Sequence, residues 1–206
     1  RYWLGDIIVR GSGATKRIGS KADLSNITHK QKKRSDKWYT DLISAGTKDV
    51  MELERNAEFM RGLGLTDFRA NLPELPIPDY AQLQADTMLE GAGLCKVSSS
   101  NFKDFYILFP GAGEKFRQWP VERFADLARH IHNQNDWTGV ICGGPGEEPL
   151  TQKLLTLAAN IPLISLTGKT NLIELAGVVK RSKVLIGNET SAIHIASAVG
   201  TPSICI

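Results

Sequence analysis

From residue 105 onward, short apolar runs take turns with stretches whose apolar residues recur at helical spacing. Phe105–Phe109, Val140–Cys142, Leu163–Leu166 and Val184–Ile186 are continuous apolar runs bounded by glycine or polar residues, the pattern of buried strands. Between them, Val121, Phe124, Leu127, Ala128 and Ile131 form a stripe behind Pro120, which suits a first helical position. Leu150–Ala159 predicts a second helix, and Leu172, Leu175, Ala176 and Val179 a third. Ile193, Ile195, Ala196 and Val199 predict a fourth, stopped by Gly200 and Pro202. Ser203–Ile206 starts another buried strand. Strands alternating with helices of this length predict an α/β fold, a parallel sheet covered on both faces.

The first hundred residues carry a weaker pattern. Leu4–Val9 reads as a strand, and Gly11-Ser-Gly-Ala-Thr-Lys16 as a glycine turn without the spacing of a phosphate loop. In Asp49–Gly64, Val50, Leu53, Ala57, Met60 and Leu63 lie near helical period, with Gly62 and Gly64 at the exit. Asn71–Pro78 holds three prolines and is extended, and Tyr80–Leu94 is one more helix ended by Gly91 and Gly93. A domain boundary is expected near residues 95–103, where Lys96–Asn101 turns polar. That gives an N-terminal part, 1–100, and a C-terminal part, 101–206. The chain opens on Arg1 and stops inside a strand pattern, so it is expected to be an internal piece, incomplete at both ends.

Composition changes this picture little. With 42% hydrophobic and 23% charged residues the chain is ordinary for a soluble globular protein. No stretch approaches membrane-spanning length, and the opening residues do not form a signal peptide. Cys95, Cys142 and Cys205 lie far apart in no metal-binding spacing. Cys142 and Cys205 fall in apolar runs and are expected to be buried free thiols of a reducing compartment. Charge is more informative. The net +3 conceals +7 over residues 1–40, −5 over 41–100 and +1 over 101–206. The basic excess centres on Lys30, Lys32, Lys33, Arg34 and Lys37. It is either a solvated loop or a surface for anionic lipid headgroups or a phosphorylated acceptor; nucleic acid is disfavoured, because no recognition module is readable nearby.

The chemistry collects in the loops after the predicted strands. These are Pro110-Gly-Ala-Gly-Glu-Lys-Phe-Arg117, Gly143-Gly-Pro-Gly-Glu147, Thr167-Gly-Lys-Thr-Asn171 and Asn188-Glu-Thr-Ser191. All fall on the carboxyl edge of a parallel sheet, where such folds bind ligands. Glycine lets backbone N–H groups approach a phosphate, helix N-termini favour anions, and Arg117 offers a fork for a diphosphate. Glu147 or Glu189 can accept hydrogen bonds from a sugar hydroxyl or an amine, and Thr190 and His194, four apart, would share a helix face. Each also has a structural reading: His194 as a core or capping group, Glu147 as part of a solvated turn, the glycines as turn geometry alone. Gly111-x-Gly113 lacks the third glycine of a dinucleotide fingerprint, which demotes hydride transfer.

These motifs, in this order, resemble glycosyltransferase family 9, the ADP-heptose:lipopolysaccharide heptosyltransferases. Phe109-Pro-Gly-Ala-Gly113, Arg117-Gln-Trp-Pro-Val-Glu-Arg-Phe-Ala125, Gly143-Gly-Pro-Gly-Glu147, Leu166-Thr-Gly-Lys-Thr-Asn-Leu172 and Gly187-Asn-Glu-Thr-Ser-Ala-Ile-His194 carry the resemblance. Residues 14–80 are similar more loosely to part of that family's acceptor domain. The resemblance implies a GT-B-like fold of two Rossmann-like domains, the C-terminal one binding a nucleotide-sugar donor, the other a lipopolysaccharide core acceptor. It implies donor contacts from Gly111, Ala112, Gly113, Arg117, Gly143, Glu147, Thr170, Asn171, Glu189, Thr190, Ser191 and His194. It implies a cytoplasmic protein, peripheral at the inner membrane face, with no cofactor and no metal. Two departures stand out. The family's Asp-Thr-Gly is Glu189-Thr190-Ser191 here, and Asp6, in Leu4-Gly5-Asp6, only mimics the Gly-Asp pair that carries the family's base, so the catalytic residue is unassigned. The implied reaction is inverting sugar transfer; the alternatives are a nucleotide-sugar epimerase of GT-B fold and a non-catalytic nucleotide-sugar-binding module.

Overall fold

In the computed structural model, which describes residues 3–21, 24, 27–44, 50–98 and 101–206, the chain divides into two compact units, Arg1–Leu72 and Pro73–Ile206. Asp49 at the start of one predicted helix, and Ser99 and Ser100 of the expected polar boundary, lie outside the described residues.

The first unit holds helix α1 (Trp3–Gly11), strand β1 (Ile18–Ser20), helix α2 (His29–Ser35), strand β2 (Asp41–Ile43) and helix α3 (Glu52–Gly62). β1 and β2 pair in parallel, Ile18 opposite Asp41. The run Leu4–Val9, expected as a strand, is helix instead. Its β-branched residues mislead, because the contacts that fix it repeat at helical spacing. Trp3 stacks on Trp38 with centroids 5.2 Å apart, Asp6 accepts a hydrogen bond from the Tyr39 hydroxyl at 2.6 Å, and Arg10 lies 5.0 Å over the Trp38 ring. Asp6 is 1% exposed, a buried anchor. α2 starts at a capping box, Thr28 accepting from the Gln31 N–H while the Gln31 side chain accepts from the Thr28 N–H. Lys30, Lys33, Arg34 and Lys37 follow at i, i+3, i+4 and i+7 and are exposed, whereas Lys32 turns aside to pair with Asp36 at 2.7 Å.

In the second unit an extended segment carries three prolines, and the Leu75 N–H donates to the Ala198 carbonyl. Then follow α4 (Asp79–Gly91), β3 (Phe105–Phe109), α5 (Val121–Asn135), β4 (Thr138–Ile141), α6 (Glu148–Leu157), β5 (Leu163–Ser165), α7 (Leu172–Arg181), β6 (Val184–Gly187), α8 (Ser191–Val199) and β7 (Ser203–Cys205). The strands form one parallel sheet in the order β5-β4-β3-β6-β7. Alternation along β3 feeds two cores: Phe105, Ile107 and Phe109 face the side of α4, α7 and α8, while Tyr106 and Leu108 face α5 and α6. Burial without a partner that stabilises the charged form pushes the Tyr106 phenol well above its usual range.

α4 packs on α7 through small residues. A methyl added at Gly177 would lie 2.8 Å from the Ala85 Cβ and 3.0 Å from the Ala81 carbonyl oxygen. Beside this contact Arg181 grips Asp86 with two hydrogen bonds, of 2.8 and 3.0 Å. Residues 73–98 thus pack with the large sheet, inside the compact unit Pro73–Ile206. Lys96 forms an isolated antiparallel bridge with Phe102. Pro120 lies one residue ahead of α5, as its cap. β7, expected to be buried, is exposed along its length, with Ile204 at 53%; it is the edge strand and contributes to neither core. Cys205 is therefore exposed, contrary to expectation, while Cys142 is buried and its thiol pushed up to about 12 by desolvation.

Candidate functional site

Numbered from β3, the strand order is 3-2-1-4-5, the Rossmann order through its fifth strand, whose direction of winding reverses between β3 and β6. At such a reversal, folds of this kind have a crevice beyond the carboxyl ends of the two strands, where they bind their ligand. Gly187, opposite Phe109, keeps β6 close to β3: a methyl on it would fall 2.8 Å from the Phe109 carbonyl oxygen.

The next residue, Asn188, is fully buried and joins the loops. Its Oδ1 accepts from the Trp119 backbone N–H at 2.9 Å, and its Nδ2 donates to the Pro110 carbonyl at 2.8 Å and the Gly111 carbonyl at 3.2 Å. Three backbone polar groups are thereby answered by one amide, the Pro110 carbonyl also accepting from the Gln118 side chain at 3.4 Å. Sequence reasoning did not single Asn188 out; the only trace was a polar residue directly after an apolar strand.

Around this joint the candidate residues divide. Arg117 closes a short 3₁₀ turn, Lys115–Arg117, and its guanidinium lies 3.5 Å from the Glu189 carboxylate. Both side chains are more than half exposed, so the pair is free to re-partner with a ligand at little cost in stability. Phe116 beside it is 82% exposed. Glu147 turns inward. It accepts from the Gly144 N–H at 2.9 Å, and its carboxylate occupies the space that a side chain at Gly111 or Gly143 would need. Glycine at 111 and 143 therefore admits Glu147, which brings the β3 and β4 loops together. Ala112 is half-buried and Gly113 exposed, with nothing within 4 Å of an added Cβ.

The remaining residues sit at two helix starts. Asn171 caps α7: its Oδ1 accepts from the N–H groups of Ile173 and Glu174, at 2.9 and 3.0 Å, while the Glu174 carboxylate accepts from the Asn171 N–H. Its oxygen is committed, which leaves its amide N–H₂ for a ligand. With Leu172, Ile173, Glu174, Tyr80 and Gln84 it also lines a groove of about 410 Å³ between α4 and the start of α7. Thr170, half-buried, precedes it.

Thr190 is the N-cap of α8, in extended backbone with φ −143° and ψ 176°. Its hydroxyl oxygen is buried without a hydrogen-bond partner and does not cap the helix. The first N–H groups of α8 thus receive no bond from the residue placed to give it, the situation that favours an anion at a helix start. Ser191 and His194 are exposed on the first turn. Among the described residues, no group of three or more His, Cys, Asp or Glu could hold a metal ion, and no helix is long and apolar enough to cross a membrane.

Known proteins resemble this chain in sequence and in fold. A sequence model of glycosyltransferase family 9 (heptosyltransferase) matches residues 7–206. Lipopolysaccharide heptosyltransferase 3 of Escherichia coli K12 is 26% identical over 75% of this chain and 43% of its own length; the protein of the same name from another E. coli is 22% identical over 99% of this chain and 56% of its own. Among solved structures, a glycosyl transferase family 9 protein from Veillonella parvula superposes with a TM-score of 0.69 at 18% identity, over 98% of this chain and 61% of that one. E. coli ADP-heptose lps heptosyltransferase II gives 0.65 at 16% identity, over 98% and 59%. The chain spans about half the length of the curated relatives it matches. The GT-B-like α/β fold class expected from the sequence is thus shared with these structures. With the family model matching from residue 7 to the last, this chain belongs to glycosyltransferase family 9.

Proposed function

We propose that this chain is the donor-binding part, with a portion of the acceptor side, of an inverting glycosyltransferase that moves a sugar, heptose, from an ADP-sugar to a lipopolysaccharide core acceptor. The observation that carries the reading is the exposed Arg117–Glu189 pair at the β3–β6 crevice, flanked by the uncapped start of α8. The E. coli relatives are named for heptose transfer, and one solved neighbour is described with ADP-2-deoxy-2-fluoro heptose.

In this reading the diphosphate lies across the crevice. Arg117 leaves Glu189 to pair with it, and the first N–H groups of α8 face its oxygens. Glu189, released, accepts hydrogen bonds from sugar hydroxyls. Thr170 and the Asn171 amide, at the β5 loop, border the nucleoside. The acceptor oxygen attacks the anomeric carbon from the side opposite the diphosphate. Its proton passes to a carboxylate, and the bond from carbon to the diphosphate oxygen breaks with its electron pair going to that oxygen, where Arg117 stabilises the charge. Asp6, buried in α1 and accepting from Tyr39, is engaged within the first unit, which supports leaving that carboxylate unassigned. The stripe Lys30, Lys33, Arg34 and Lys37 meets an anionic membrane surface, in keeping with peripheral work at the inner face of the membrane from the cytoplasm.

The test uses the full-length protein with ADP-heptose and a deep-core lipopolysaccharide acceptor, transfer being read by mass spectrometry. A mass increment of one heptose on the acceptor is expected. Donor epimerisation without acceptor would point to an epimerase, and binding without turnover to a non-catalytic module, whose specific support is the Glu189-Thr190-Ser191 departure.

A further inference from the structure

Asn188 reaches the crevice only through other residues, and what it holds is the frame of the Arg117–Glu189 pair. Arg117 is two residues before Trp119, whose N–H is fixed by Asn188 Oδ1, and Glu189 is the next residue after Asn188 itself. On its other edge the same amide holds the Pro110 and Gly111 carbonyls, which turn that loop so that Gly111 backs onto Glu147. The segment of Arg117, the segment of Gly111 and the backbone of Glu189 thus have one common fastening. It is buried and fully occupied, with one acceptor and one donor group facing opposite partners. A hydrophobic residue of that size would fill the space and take away the partner of the Trp119 N–H and of the Gly111 carbonyl, leaving the Pro110 carbonyl only its 3.4 Å bond from the Gln118 side chain. An aspartate would keep the acceptor facing Trp119 but set an oxygen against two carbonyl oxygens.

We propose that Asn188 is a positioning residue for the donor diphosphate: it sets the reach of Arg117 and so determines affinity for the diphosphate, while leaving recognition of the nucleoside alone. The inference rests on the donor reading above, and its test separates the two.

The full-length protein is titrated with ADP and with adenosine, as wild type, Asn188→Asp, Asn188→Ala, Arg117→Ala and the double variants. Wild type is expected to bind ADP more tightly than adenosine. Asn188→Asp and Asn188→Ala should each weaken ADP at least tenfold and adenosine less than twofold. On the Arg117→Ala background the same changes should weaken ADP less than threefold, because the group through which Asn188 acts is gone. Backbone hydrogen exchange at Trp119 supplies a readout independent of ligand: protected in wild type and Asn188→Asp, fast in Asn188→Ala. If wild type does not discriminate ADP from adenosine, the donor reading fails and this inference with it. If wild type discriminates but the Asn188 variants bind ADP as it does, lose adenosine in equal proportion, or add in full to Arg117→Ala, the positioning role alone is overturned. Asn188→Asp, isosteric and retaining one of the bonds, covers the case in which Asn188→Ala fails to fold.

Discussion

Replacing Gly187 by alanine tests whether the β3–β6 contact is as tight as it must be to hold the crevice. The added Cβ would stand 2.8 Å from the Phe109 carbonyl oxygen and 2.9 Å from the Phe109 Cβ, where ordinary contact begins at 3.4 Å. At least half an ångström must be found, and the obstructing oxygen is backbone in the central strand of the sheet, already accepting from the Asn188 N–H. Overpacking of this kind costs ~1–3 kcal/mol. Opposing it, alanine narrows the unfolded ensemble, a gain of ~0.4–1 kcal/mol where the native backbone suits it, and Gly187 is not in the left-handed region. Steric conflict wins, for a net loss of about 1–2 kcal/mol. At roughly 3–5 °C per kcal/mol for a unit of this size, the second unit should melt about 3–10 °C lower. Gly144→Ala is the control. Nothing lies within 4 Å of its added Cβ and its φ is not positive, so it should melt at the wild-type temperature or slightly above. Calorimetry on both variants decides. A Gly187→Ala protein as stable as wild type would show that β3 gives way freely and that glycine at 187 answers to something other than the sheet.

Four further outcomes follow from the same structure. Asp86→Ala removes the carboxylate that Arg181 holds by two hydrogen bonds between α4 and α7; a loss of about 1.5–3 kcal/mol is expected as a lowered urea midpoint, and Asp86→Glu should recover part of it. In the native chain Cys95 and Cys205 should react rapidly with a thiol reagent, and Cys142 only on unfolding. Because burial raises the Cys142 thiol to about 12, the folded state holds that proton more tightly than the unfolded. Its contribution to stability is therefore complete below the unfolded thiol's range, about pH 8.5, and declines as pH rises from there toward 12; Cys142→Ala should flatten that decline in urea melts at pH 8 to 10. Last, full-length protein carrying Lys30→Glu, Lys33→Glu and Lys37→Glu should bind phosphatidylserine vesicles at least tenfold more weakly in sedimentation, at a contribution of ~1 kcal/mol per basic residue, and both proteins should be released by raised salt.

The second unit was legible because its elements announce themselves by composition. Val140, Ile141 and Cys142 are buried on both sides of a parallel sheet, so no polar residue interrupts the run, and the glycine-rich stretch after each run marks where the backbone must turn. Strand order, and with it the convergence of the β3 and β6 loops, is not a local property, yet the motifs at those loops were enough to place the family. In the first unit the same reasoning misread Leu4–Val9. Propensity favours strand there, and contacts with Trp38 and Tyr39, more than thirty residues away, favour helix. Ile204 and Cys205, apolar by composition, form the last strand of this chain and are exposed there.

At the site, the sequence by itself determined which chemistry was available: a guanidinium, carboxylates, hydroxyls and glycines on one edge of one sheet. Only the tertiary structure decided what each does with its neighbours. It spent the oxygen of Asn171 on a helix cap, turned Glu147 inward onto Gly111 and Gly143, and set Arg117 against Glu189. It also made a buried fastening of Asn188, a residue whose type alone promised nothing. A side chain's hydrogen-bonding groups are fixed by covalent structure, but their partners are chosen by the packing of strands that lie seventy residues apart, and local sequence carries no record of that distance.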